Sequence, residues 1–195
     1  MKRFLLSAVL LFCLASPLFA EHIKGGEMFY TYLGDGPSAN TSRYTITLKL
    51  YIDCDANNPG QLDAKVPLTI FTKADNVFVL NVDAPLSNEQ FISFDPASNP
   101  CIGNPPNDVC YRVRSYSATV TLNNTDQGYT IAYQRCCRIN NIVNLVQPSN
   151  AVGATYTCEI PGTLVLPGAY KNNSPIFAGT DAAAICASSS FTYSF

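Results

Sequence analysis

The feature that most limits what this chain can become is the run Gly128–Arg138, GYTIAYQRCCR. Tyr129, Ile131 and Tyr133 alternate with Thr130, Ala132 and Gln134, the period-two pattern of a half-buried strand. The run ends in adjacent cysteines, Cys136 and Cys137. Successive side chains of a strand point to opposite faces, so neighbours on one strand are not expected to share a partner. Pairing with each other would close a strained eight-membered ring. The expectation is therefore that these cysteines pin the strand in two directions.

Such pinning needs an oxidising compartment, and the N-terminus points to one. Lys2 and Arg3 precede an apolar run from Phe4 to Leu14, and Pro17-Leu18-Phe19-Ala20 offers a cleavage site after Ala20. Residues 1–20 thus read as an export signal, too short in its apolar part for a spanning helix. Leu11-Phe12 before Cys13 is not the small-residue context of a lipid-attachment box. Past the signal no long apolar run remains, so no transmembrane segment is expected. Removing Lys2 and Arg3 from the 12 basic residues leaves 10, against 14 acidic ones. This mildly acidic balance, without a basic block, argues against nucleic acid as a partner.

With Cys13 removed, Cys54, Cys101, Cys110, Cys136, Cys137, Cys158 and Cys186 remain. In an exported chain they read as a disulfide framework with one thiol left over. A zinc site is disfavoured, since His22 is the only histidine and no C-x-x-C occurs. Cys101 and Cys110 bracket a Pro- and Asn-rich segment and are expected to bridge locally. Cys54 is expected to join Cys136 or Cys137, with register favouring Cys137, and Cys186 to take the remaining member. Cys158 continues the apolar register of its strand and is the candidate free thiol, behaving as a small buried hydrophobe.

Alternation recurs along the chain. Strands are expected at Met28–Leu33, at Tyr44–Asp53 with Tyr44, Ile46, Leu48, Leu50 and Ile52 inward, and at Val66–Ile70. Val77–Val82 follows as a hairpin partner and Phe91–Phe94 as a short edge strand. Arg112–Asn123 (Tyr116, Ala118, Val120 and Leu122 inward), the cysteine strand and Val152–Ile160 complete the set. Gly/Asn/Asp/Pro-rich loops separate them, and Ile139–Pro148 reads as a packed loop with a helical turn. Charged residues are only 13% of the chain, and Tyr, Thr, Asn and Val are common, as in extracellular β-proteins. The expected architecture is an all-β, antiparallel, Ig-like sandwich over residues 21–165, stapled by disulfides. A linker follows at 166–174. Residues 175–195 read as the start of a truncated second β-domain, because the last strand-like run stops without a closing turn.

Several stretches together resemble one family: His22–Met28 (HIKGGEM), the strand ending Tyr51-Ile52-Asp53-Cys54, Ser98–Cys101, Tyr129–Asn141, Gly153–Tyr156 and Asn172–Pro175. They resemble the N-terminal region of large secreted surface proteins of Bacteroidota. Those proteins carry PKD- or cadherin-like repeats and a gliding-motility-associated sorting domain of the type IX secretion route. The resemblance implies export to the cell surface or beyond, and a chain that continues into further β-domains. Cys158 departs from it, standing where a non-cysteine residue is expected.

Catalytic chemistry finds little material here. The glutamates are Glu21, Glu27, Glu89 and Glu159, and neither a Gly-x-Ser-x-Gly nor a His-Glu-x-x-His motif is present. Asp53, Asp55 and Asn57 sit at alternate positions as a calcium loop begins, but Asn58 and Ala64 stand where the glycine and the closing glutamate belong. Solvated loop residues are the simpler reading. His22 reads as a surface histidine beside the mature terminus. Arg135 and Arg138 flank the paired cysteines and are candidate binding residues for an acidic partner or a sugar, although Arg135 can equally pack on Tyr129 and Tyr133. Tyr30, Tyr32, Tyr51 and Tyr116 would serve a carbohydrate-stacking platform if exposed. The expected role is non-catalytic: an adhesive or architectural surface module with no cofactor, facing a protein or glycan ligand. A carbohydrate-binding module is the alternative.

Overall fold

A computed structural model describes residues 22–56, 61–94, 110–176 and 190. The signal segment, Asn57, Cys101, Cys186 and nearly all of the expected second domain lie outside the described residues.

Among the described residues seven strands form, all antiparallel to their neighbours: β1 (Ile23–Asp35), β2 (Thr41–Asp53), β3 (Lys65–Thr72), β4 (Phe78–Ser93), β5 (Cys110–Asn123), β6 (Gly128–Arg135) and β7 (Ala154–Pro161). Their order in the sheet is β1-β2-β5-β4-β3-β6-β7. β7 comes back against β1, so the sheet curls nearly into a barrel. The alternation read from the sequence is what fills it. Tyr44, Ile46, Leu48, Leu50 and Ile52 of β2 are buried, as are Val66, Leu68 and Ile70 of β3, Tyr116, Ala118, Val120 and Leu122 of β5, and Ile131 and Tyr133 of β6.

β4 differs from expectation. The hairpin partner and the short edge strand are one strand running from Phe78 to Ser93. Its first half pairs with β3 and its second half with β5. The register slips between Leu86 and Asn88, where the strand passes from one partner to the other. Pro85 lies just before this transfer. A residue without an N–H is tolerated where the hydrogen-bond ladder changes partner.

Two features hold the corner between β5 and β6. The Tyr129 hydroxyl donates to the Asn123 carbonyl across the turn at 2.8 Å. Gly128 opens β6 at φ 84°, and a Cβ there would lie 2.1 Å from the Ile160 carbonyl oxygen. Only glycine fits. The segment expected as a linker is seated on the domain. The Tyr44 hydroxyl donates to the Tyr170 carbonyl (2.8 Å), Tyr32 N–H to the Asn173 side chain (2.7 Å), and Ser174 N–H to the Tyr30 carbonyl (3.0 Å). The free edge of β1 is thereby covered.

Candidate functional site

Antiparallel topology gathers the cysteines at one end of the molecule. There β2, β4 and β6 finish, β3, β5 and β7 begin, and the connection 136–153 runs. The opposite end carries the shorter connections 36–40, 73–77 and 124–127.

At the cysteine end Asp53 pairs with Tyr111 across β2 and β5, which sets the next residue out, Cys54, opposite Cys110. These two form a disulfide with their Cα atoms 5.8 Å apart. This corrects the expected Cys101–Cys110 and Cys54–Cys137 bridges: the partner of Cys54 is decided by strand adjacency, not by distance along the chain. Lys24 closes over the bridge, donating to the Cys110 carbonyl at 2.9 Å and lying 3.7 Å from Asp53.

Cys136 and Cys137 bond to each other, through a cis peptide bond. The expectation that they pin the strand in two directions is corrected, and for a definite reason. β6 ends at Arg135, so strand alternation no longer governs where these side chains point. Cys136 is exposed and Cys137 half-buried. Beyond them the chain is tied back: Arg138 N–H donates to the Val152 carbonyl (3.2 Å) and Ile139 N–H to the Ile23 carbonyl (3.1 Å). Fully buried Ser149 accepts from Ile142 N–H and donates to the Ile139 carbonyl. An open cleft of about 350 Å³ lies beside the pair, walled by Gln134, Arg135, Cys136, Gly153, Ala154 and Thr155.

Behind this cleft lies a charged cluster. Arg114 is 5% exposed, and a buried guanidinium needs partners to offset its lost hydration. Its Nε meets Glu89 at 3.0 Å and its Nη1 donates to the Asp63 carbonyl at 3.0 Å. The Tyr116 hydroxyl donates to the same carbonyl at 2.9 Å, and Arg112 joins Glu89 at 3.3 Å. Arg135 grips the Asp63 carboxylate through both terminal nitrogens, at 3.1 and 3.3 Å. The 54–64 connection is thus clamped to the sheet at Asp63. Part of this was readable in advance. The inward register Leu122, Val120, Ala118, Tyr116 extrapolates to Arg114, and an arginine in a core register demands a buried anion. No sequence signal marked Asp63 or Glu89 as the partners.

The other candidates fall as follows. Arg135, a proposed binding residue, is committed to Asp63. Arg138 donates from Nε to the Gly153 carbonyl at 3.3 Å, and no carboxylate pairs with it among the described residues. Asp53 is held by Lys24 and accepts from Asp55 N–H, and the described residues bring no group of three His, Cys, Asp or Glu side chains together for a metal ion. His22 is 1% exposed, which corrects its reading as a surface residue: its carbonyl accepts from Asp53 N–H. Tyr30 and Tyr116 are buried in the core, while Tyr32 packs edge-on to Tyr44 and Tyr51 edge-on to Tyr111. The four tyrosines form no common platform. Cys158 carries a free, buried thiol, pushed up to about 12 by burial and then by Glu159.

Fold and cysteine chemistry together define a class: an antiparallel all-β domain closed by a disulfide between neighbouring strands. No described helix is long and apolar enough to cross a membrane. Compared with protein-family models, curated proteins and solved structures, the chain finds no match.

Proposed function

We propose that this chain is a non-catalytic, Ig-like module of an exported protein, displayed at or beyond the cell surface, which recognises a protein or glycan through its cysteine end. The carrying observation is the strand order. Lettered in chain order A to G, β1-β2-β5-β4 reads A-B-E-D and β3-β6-β7 reads C-F-G, the strand orders of the two sheets of an Ig-type sandwich, here joined through the β3–β4 pairing. Tyr129, near the start of the F strand with its hydroxyl on the Asn123 carbonyl, has the geometry of a tyrosine corner. In that frame the connections at the cysteine end are the B–C, D–E and F–G loops, the end at which Ig-like domains carry variable recognition surfaces.

The charges at this end support a binding role over catalysis. Arg112, Arg114 and Arg135 are all held in ion pairs with Glu89 and Asp63, which fix Asp63 against the sheet. The signal segment and the resemblance to Bacteroidota surface proteins support the address, the type IX route, and continuation into further PKD- or cadherin-like domains.

The test is fractionation of the source cells with an antibody against residues 22–176, combined with protease shaving of intact cells. Antigen in the surface or medium fraction, removed by shaving and running above the 21.1 kDa of this chain, supports a leading module of a longer surface protein. Antigen confined to the cytoplasm and shielded from protease overturns the reading.

A further inference from the structure

We propose that Cys136–Cys137 is a thiol-exchange site that accepts a low-molecular-weight anionic thiol from the adjoining cleft. Three observations carry this, none of which depends on the surface-recognition reading.

The first is what the bond fails to do. A disulfide stabilises a fold by closing a loop in the unfolded chain. Cys54–Cys110 spans a separation of 56 residues, whereas Cys136–Cys137 spans 1. The adjacent pair constrains almost nothing, so it is no staple.

The second is access. Cys136 is exposed and forms part of the wall of the 350 Å³ cleft, a volume at the small end of ligand pockets. Of the cysteines near the cleft, Cys136 is the one open to a small thiol, whereas Cys137 is half-buried and Cys158 is buried.

The third is charge. Arg135 is neutralised by Asp63, but Arg138, next to Cys137 in the chain, has no carboxylate partner among the described residues. Its Nε donates to the carbonyl of Gly153, itself a wall residue of the cleft, so its positive charge draws an anionic thiolate toward the cleft in which Cys136 is met.

The step balances without an outside oxidant. The incoming thiol loses its proton to solvent, and its thiolate attacks Cys136 Sγ. The new S–S bond forms as the Cys136–Cys137 bond breaks, with the electron pair leaving on Cys137 as a thiolate. Attack by Cys137 on Cys136 reverses it and expels the small thiolate. The product is a mixed disulfide on Cys136.

The experiment uses the full exported chain and reduced glutathione as the probe, under native conditions. Free thiols are blocked with a maleimide after an acid quench, and peptides are mapped by mass spectrometry. The expected result is a glutathione adduct on Cys136, with Cys54 and Cys110 still joined. In Cys137→Ser, loaded with oxidised glutathione, the same adduct should persist at least about tenfold longer than in the native chain, because the neighbouring resolving thiol is gone. Arg138→Gln should slow adduct formation. An adduct appearing first on Cys54 or Cys110, an adduct on Cys137, no adduct at all, or equal adduct lifetimes in Cys137→Ser and the native chain would each overturn the proposal. Far-UV circular dichroism of each variant verifies that the sheet is intact.

Discussion

Tyr129 and Tyr133 occupy the same face of β6, and both rings are buried, yet their hydroxyls meet different fates. Tyr129 donates to the Asn123 carbonyl, whereas no described partner reaches the buried Tyr133 hydroxyl. A buried hydrogen bond contributes on the order of 1 kcal/mol, and an unsatisfied buried hydroxyl costs a similar amount. Tyr129→Phe should therefore lose about 1 kcal/mol in urea unfolding, while Tyr133→Phe should be neutral or gain up to about 1 kcal/mol. Equal losses from both would show that the hydroxyls are not distinguished. Burial also sets the alkaline limit. It raises Tyr44, Tyr116 and Tyr133 from an ordinary 10.0 to about 12, and Cys158 from 9.0 to about 12. Above its ordinary pKa each group loses its proton in the unfolded chain but keeps it in the folded one. Proton release then favours unfolding, so stability is full below about pH 9 and falls as pH rises toward 12. Urea midpoints should decline across that window. A flat profile would contradict the burial of these groups. Burial of the rings was legible from alternation, but the destination of each hydroxyl was not, because it depends on a turn geometry that no periodicity encodes.

Elements differ in what holds them. Cys54–Cys110 joins the ends of two neighbouring central strands, and the loop it closes in the unfolded chain is long enough for about 4 kcal/mol by chain entropy. A Cys54→Ala/Cys110→Ala pair should lose roughly that much, and Cys136→Ala/Cys137→Ala should stay within about 1 kcal/mol of the native chain. Differential scanning calorimetry of the two double variants decides it, and equal losses would mean that the adjacent pair also supports the fold. The start of β6 has a different weakness. Gly128→Ala would force a side chain into the left-handed region against the Ile160 carbonyl, at a cost of about 2–4 kcal/mol. The strands themselves could be read from period-two patterns. The continuity of β4 could not, because Pro85 and a polar stretch break its pattern where it changes partners, and a partner change leaves no periodic trace.

At the scale of the molecule the exposed question is the sheet's edge. β1 pairs with β2 on one side only, and its other side is covered by Asn173 and Ser174 and, at the far end, by Ile139. An uncovered strand edge invites pairing with another chain. A variant ending at Gly168 should therefore self-associate more than the full chain in size-exclusion chromatography with light scattering. An unchanged profile would show that the cover is dispensable. The sequence read this segment as a linker, since it lacks the strand alternation on either side of it, and local pattern does not reveal that a polar side chain will complete a distant strand's hydrogen bonds. The same division runs through the whole protein. By itself the sequence determined that the chain is all-β and which residues of β2, β5 and β6 face inward. These follow from the pleat of a single strand, which is a local property of the backbone. Only the tertiary structure decided that Cys54 meets Cys110, that Arg135 holds Asp63, and that Cys136 and Cys137 are left to each other. Those pairings depend on which strands become neighbours and on where each strand stops, and both are settled by packing the whole sheet around one core.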